Sequence, residues 1–312
     1  MEKKILLPVD NSRHSRKAIH YAVGAASLAE NLHYVLFNVQ PTISLFLKDE
    51  AKKSVTAKSQ LARVVEKNRE SALKLLENYK AEMVQMGIDS QRIETVTQKK
   101  KLGLGKDIID FGQSRNFDAI VIGRRGLSRL QEMYTGSVTS NMLEHSRVIP
   151  VWLVDGDVNA NSNRILVAID GSESALRAID HVSFMVSNNL DVRVTLLHVT
   201  NSARNYCGID LDETSFPDLK DVVALGDKAC IEQFYPLAKQ RFKDAGISQD
   251  QIEIKTVKGG RQIGKAILDV VSKENYETVV IGRRGINKAF FMGSVSRYII
   301  NRISNRALWI VP

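Results

Sequence analysis

Asp118-Ala119-Ile120-Val121-Ile122-Gly123-Arg124-Arg125-Gly126 returns 159 residues later as Glu277-Thr278-Val279-Val280-Ile281-Gly282-Arg283-Arg284-Gly285. A short, largely β-branched apolar run that stops on a glycine reads as a buried strand entering a tight turn. Working outward, the same offset joins Gly87 to Gly246 and Gly105-Lys106 to Gly264-Lys265, and an offset of 160 joins Asp10 to Asp170. A period of this length marks a duplicated domain, since solenoid units recur every ~20–50 residues. Apolar periodicity lapses in Asp155-Gly156-Asp157-Val158-Asn159-Ala160-Asn161-Ser162-Asn163, where turn formers cluster. The domains are therefore expected over residues 1–155 and 163–312.

Within each half, short β-branched runs alternate with longer helical patterns, the grammar of crossover units in a parallel sheet. Strands are expected from Lys4 to Val9, His33 to Val39, Arg92 to Thr97, Ala119 to Ile122 and Val151 to Val154. Their counterparts run from Arg164 to Ile169, Asp191 to Val199, Gln251 to Val257, Thr278 to Ile281 and Ala307 to Val311. Leu61, Val64, Val65, Ala72, Leu75, Leu76, Tyr79 and Met83 mark one apolar face of a long helix that Gly87 ends. Its partner carries Val222, Ala229 and Leu237, with Pro236 predicting a kink or break before Gly246.

Composition narrows the classes. The chain has 312 residues, 44% of them hydrophobic, with two cysteines and an excess of nine positive charges. That supports two ordinary cores and excludes a disulfide scaffold or a disordered chain. No run approaches the ~20 apolar residues of a membrane span. Ile5 to Val9 is too short for a secretory signal, so the reading is a first strand. Cys207 and Cys230 have neither zinc nor redox spacing, which suits a reducing cytoplasm. The positive balance favours anionic partners, but aromatics make up 6% and are not interleaved with basic runs, which argues against nucleic acid.

In an open parallel sheet, ligands gather at the carboxyl ends of the strands. Asp10 and Asp170 close strand one of each half, either as crevice carboxylates or as turn and capping residues. Gly123 and Gly126, nine residues, then Gly136-Ser137 give bare backbone at a strand end and free N–H groups at a helix start, a combination suited to an anion. Arg124, Arg125, Arg283 and Arg284 lie in the glycine loops, either to neutralise phosphate or, for one of each pair, to face solvent. Gly259 to Lys265 imitates a Walker A loop, but Ala266 stands where the Mg²⁺-holding hydroxyl belongs. Neither a His-Glu-x-x-His motif nor a Gly-x-Ser-x-Gly elbow occurs, and His198 reads as a crevice wall. Asp107 and Asp110 share a helix face and read as solvated.

On Gly123, Gly126, Gly136 and Ser137, with the aspartate after strand one, Gly87-Ile88 and the apolar closing strand, the chain resembles the universal stress protein family in two consecutive copies. The resemblance implies an α/β fold of two tandem doubly wound parallel five-stranded sheets, strand order 3-2-1-4-5, forming an internal pseudo-dimer. It also implies a stress-response protein, not an enzyme, that binds ATP or a related adenine nucleotide, with Mg²⁺ as an open companion. Pro8, Val9 and Asp10 would then line the adenosine, Val39 the adenine, and Ile122, Gly123 and Gly126 the ribose and phosphates. Gly136, Ser137, Val138 and Thr139, with Arg125, would meet the phosphate tail. The second copy offers Asp170, Val199, Ile281, Gly282, Gly285, Gly293, Ser294, Val295 and Ser296 in the same roles.

That copy departs from the pattern, with seven residues between Gly285 and Gly293 in place of nine. Either it takes a shorter ligand or it serves only as a pairing partner, so the first copy is the better site. The alternative for the whole chain is a nucleotide-free protein–protein interaction module whose glycines serve turn geometry. Trp152 and Trp309 occupy corresponding places in the closing strands and read as core or interface packing; further self-association is open.

Overall fold

The computed structural model describes residues 2–29, 31–124, 146, 148–158, 162–200, 217–259, 262–284 and 292–312. Arg125, Gly126, Gly136, Ser137, Val138, Thr139 and Gly285, and also Cys207, lie outside the described residues. In the first copy come β1 (Lys3–Pro8), α1 (Arg13–Gly24), β2 (Leu32–Gln40), α2 (Leu45–Lys53), α3 (Val55–Gln85), β3 (Ile93–Lys99), α4 (Leu104–Ser114), β4 (Ala119–Gly123) and β5 (Val151–Val154). The second copy contributes β6 (Arg164–Ile169), α5 (Glu173–Met185), β7 (Arg193–Thr200), α6 (Pro217–Asp244), β8 (Ile252–Lys258), α7 (Ile263–Lys273), β9 (Thr278–Gly282), α8 (Ser294–Arg302) and β10 (Ala307–Val311). The ten expected strands are present, with ends shifted by no more than two residues.

They form one sheet in the order β3-β2-β1-β4-β5-β10-β9-β6-β7-β8. Each copy is parallel throughout with order 3-2-1-4-5, and β5 meets β10 antiparallel, Trp152 opposite Trp309. The strands are near-continuous apolar runs because helices cover both faces. Ile5 and Leu7 enter one apolar layer and Leu6 the other, and both layers run through both copies. Helix starts are fixed locally: the Ser12 and Ser172 hydroxyls accept the N–H of Ser15 and Ala175 at 3.2 and 3.1 Å.

The seam between the copies is a buried aromatic stack. The Trp152 and Trp309 rings lie 3.9 Å apart and within 1° of parallel. Trp152 Nε1–H donates to His181 Nε2 at 3.0 Å, while Trp309 Nε1–H donates to the Tyr21 hydroxyl at 2.9 Å. Tyr21 and His181 are counterparts at the 160 offset, so a near-symmetric seam is finished by two different acceptors. The Tyr21 and Thr278 hydroxyls are in turn hydrogen-bonded to each other at 2.9 Å.

Two helical expectations are corrected. The apolar face of α3 is buried only at Ala72, Leu76, Tyr79 and Met83; Leu61 and Val65 are half-buried and Val64 is exposed. Geometry explains the difference: a helix of 31 residues is about 46 Å long, whereas the nine-residue β2 extends about 30 Å, so α3 overshoots the sheet. Helix α2, which periodicity did not reveal, lies beside that overshoot. In α6, Pro236 sits inside an unbroken helix, and Ala229 and Leu237 are exposed, while the Val222 side chain lies outside the described residues. Among the described side chains the buried face is Ile231, Phe234, Ala238 and Phe242, spaced by three, four and four residues. Among the described residues, no helix is long and apolar enough to cross a membrane.

Candidate functional site

Strand order reverses at β1 in the first copy and at β6 in the second, so each copy has a switch-point crevice beyond β1/β4 and β6/β9. The chain leaves β1 through Pro8, Val9 and Asp10. Val9 N–H donates to Phe37 O at 2.8 Å and the Asn38 side-chain amide donates to Val9 O at 2.8 Å, which fixes the crevice floor between β1 and β2. Val39 follows, half-buried near the end of β2. In the second copy, His198 Nδ1–H donates to Ile169 O at 3.3 Å, the place Asn38 holds in the first. His198 is a buried wall residue, as expected, next to buried Val199.

The two aspartates are held differently. Asp10 is exposed, and its Oδ1 accepts the Ser15 hydroxyl at 2.6 Å while its own N–H donates back to Ser15 Oγ at 3.0 Å. Tyr79, from α3, donates its hydroxyl to Asp10 O at 3.0 Å. Asp170 Oδ1 instead accepts Ser172 N–H at 3.0 Å, a local turn. Asp10 thus braces the first turn of α1 through Ser15 and Asp170 forms a turn, while the helix caps themselves are Ser12 and Ser172. Ser15 and Asn38 were not singled out from sequence, and Tyr79 was read only as part of the apolar face of α3; the offset that pairs Asn38 with His198 was the available signal.

Ile122 and Ile281 are buried in the strands that lead to Gly123 and Gly282. These two glycines are needed by the chain itself. A Cβ on Gly123 would overlap the His14 carbonyl, and one on Gly282 would stand 2.8 Å from Ser174 Oγ and 3.0 Å from Ser174 O. The first turns of α1 and α5 press against the strand ends, so the bare backbone serves helix–strand packing.

The helix start expected to meet a phosphate is described in the second copy. Gly293 is the N-cap of α8, and among the described residues no side chain caps it. Gly293 N–H donates to Arg283 O at 3.1 Å, closing the glycine loop onto the helix start. Ser294 is exposed, Val295 half-buried and Ser296 buried, its hydroxyl donating to Gly282 O at 2.8 Å. The first-turn amides of an α-helix have no intrahelical acceptor and carry its positive pole, which suits phosphate.

The solvated reading of Asp107 is corrected, and two of the four arginines can be placed. Arg124 and Arg283 are buried and donate to backbone of the opposite copy, while Arg284 is half-buried and Arg125 lies outside the described residues. Arg124 Nη1 donates to Ile303 O at 2.8 Å and Nη2 to Asn301 O at 3.4 Å, while Arg283 Nη1 donates to Ser146 O at 2.9 Å. Burial lowers the Arg124 pKa, and nearby Asp155 opposes that shift. Asp107 is buried, its carboxylate accepting the N–H groups of Lys101 and Leu102 at 2.8 and 3.0 Å to close the turn into α4. Gly264, in the Walker-like run, is explained by packing, since a Cβ there would stand 2.7 Å from the Tyr298 ring. Among the described residues, no group of three or more His, Cys, Asp or Glu could hold a metal ion.

The model of the universal stress protein family matches residues 1–155 and again residues 161–311. A universal stress protein of Mycolicibacterium smegmatis is 26% identical over 201 residues, 64% of this chain and 64% of that protein. The chain thus matches slightly under two thirds of that relative's length. The crystal structure of a universal stress protein from Archaeoglobus fulgidus DSM 4304 is similar over 99% of this chain and 97% of its own, with TM-score 0.67 and 21% identity. A functionally unknown protein of Pseudomonas aeruginosa PAO1 is similar over 99% and 92%, with TM-score 0.56 and 12% identity. At such identities the likeness speaks for the fold.

Proposed function

Because the chain belongs to the universal stress protein family, matched in two consecutive copies, we propose that it is a cytoplasmic regulator of stress responses that binds an adenine nucleotide of the ATP type, with the better site in the first copy. The observation that carries this reading is the start of α8. Among the described residues no side chain caps its first turn, which follows a strand-end glycine at the switch point in the copy whose loop is two residues shorter. Adenosine would lie against Pro8, Val9 and Val39 beside Asp10. The tail would follow Gly126 and Arg125 to the amides and hydroxyls of Gly136, Ser137, Val138 and Thr139. Asp170, Val199, Gly282 and the amides of Ser294, Val295 and Ser296 would serve in the second copy. The chain's role in these steps is to bind and orient. No general base is assigned, and absence of one typically forfeits about 10² to 10⁴ in rate, so hydrolysis should be slow at most.

One observation favours the second reading, a nucleotide-free interaction module. Gly123 and Gly282 are required by packing whether or not a ligand binds. Gly136 therefore makes the cleaner probe. Mass spectrometry of the denatured supernatant and calorimetric titration with ATP should both find adenine nucleotide, and Gly136→Trp should abolish uptake at the first site. Empty supernatant together with a flat titration would favour the interaction module.

A further inference from the structure

Arg124 and Arg283 sit one residue beyond the strand-end glycines Gly123 and Gly282, so each belongs by sequence to its own copy's loop. Their backbones behave accordingly: Arg124 N–H donates to Val154 O and Arg283 N–H to Val311 O, both at 2.7 Å. Their guanidinium groups cross the seam. Because β5 and β10 run antiparallel, the carboxyl edge of one copy's strands lies beside the amino edge of the other's, which is where α8 ends. Ile303 is the C-cap of α8, and Arg124 bonds the carbonyls of Ile303 and Asn301 there. Terminal carbonyls lack intrahelical partners and form the helix's negative pole, so a buried cation with two N–H donors is a strong clamp.

The contacts are reciprocal: Arg283 Nη1 bonds Ser146 O in the first copy as Arg124 Nη1 bonds Ile303 O in the second. Arg124 thus holds the far end of the helix whose near end carries the candidate phosphate amides. Helix α8 has only nine residues and is about 13 Å long. A packed helix of that length moves as a body, so freeing its C-terminal end displaces the amides of Ser294, Val295 and Ser296.

We propose that Arg124 is a positioning residue that acts across the seam and sets the phosphate end of the nucleotide site in the second copy. This rests on the nucleotide reading above. It adds that the second site is incomplete without the first copy.

The test reads each site alone in the full chain, by calorimetry with ATP. The second site is isolated in a Gly136→Trp background and the first in a Gly293→Trp background. Adding Arg124→Met should weaken ATP on the order of tenfold at the second site, the scale of a lost charged hydrogen bond, and change the first less than about twofold. Arg124→Lys should recover part of the loss by restoring charge and one donor. Loss confined to the mutated residue's own copy, or no loss in either, overturns the proposal. If neither background takes up ATP, the nucleotide reading has failed, and hydrogen exchange decides the positioning claim. Faster exchange across residues 294–302 in Arg124→Met, reversed in Arg124→Lys, upholds it; unchanged exchange overturns it.

Discussion

At the scale of single residues, the seam poses the sharpest question. His181 is buried against the Trp152 and Trp309 rings and accepts a hydrogen bond at Nε2, so it is neutral with its proton on Nδ1. Burial drives its pKa from 6.5 down to about 3. A depressed histidine favours folding fully above its unfolded pKa, and the contribution fades as pH falls from about 6.5 toward about 3. At pH 3 the loss is on the order of 4 kcal/mol, a large share of a typical stability of about 5–15 kcal/mol. Tyr21 shows what the same place looks like without a titrating base; burial raises its pKa, so it stays neutral throughout that range. His181→Tyr should therefore keep an acceptor for Trp152 and flatten the acid loss. Urea midpoints at pH 7 and pH 4.5 check this: the wild type should fall further between the two than the variant, and equal falls would assign the acid sensitivity elsewhere.

The single elements show where reading the sequence succeeds and where physics beyond it intervenes. All ten strands were legible because parallel strands buried on both faces are continuous β-branched runs, and Gly123 and Gly282 were legible because the repeat aligned them. The buried fraction of α3 was not, since periodicity reports a face while burial depends on how far the sheet extends beneath it. Asp107 was misread, and the partners of Arg124 went unseen, for a related reason: sequence places a charge on a loop or helix but does not say which backbone groups need it. The overshoot of α3 makes a quantitative expectation. Leu76, fully buried, should cost about 2–5 kcal/mol as Leu76→Ala. Phe46, 70% exposed on α2, should cost less than about 0.5 kcal/mol as Phe46→Ser. Thermal melts of the two variants compare them directly, and a large loss in Phe46→Ser would mean that the overshooting end is packed against something in solution.

At the scale of the whole molecule, the duplication has become one folding unit. Both apolar layers cross the seam, and the stacked tryptophans are joined there by Lys3 Nζ donating to Met185 O at 3.0 Å and by the Asn189 amide donating to Ser27 O and Leu28 O at 2.8 and 3.0 Å. A copy opened alone would expose one ring of the stack and leave buried donors without acceptors. Opening the seam should therefore cost several kcal/mol, enough to make the copies unfold together. Tryptophan fluorescence, which reports only the seam because Trp152 and Trp309 are the chain's two tryptophans, and far-UV circular dichroism, which reports both copies, should trace a single urea transition with coincident midpoints. Trp309→Ala removes one ring and its bond to Tyr21 at a cost of about 3–5 kcal/mol, and should pull the two probes apart by letting one copy melt before the other. Two resolved transitions already in the wild type would mean that the seam only docks independent domains, and the crossed arginines would then span a joint too weak to transmit position from one copy to the other.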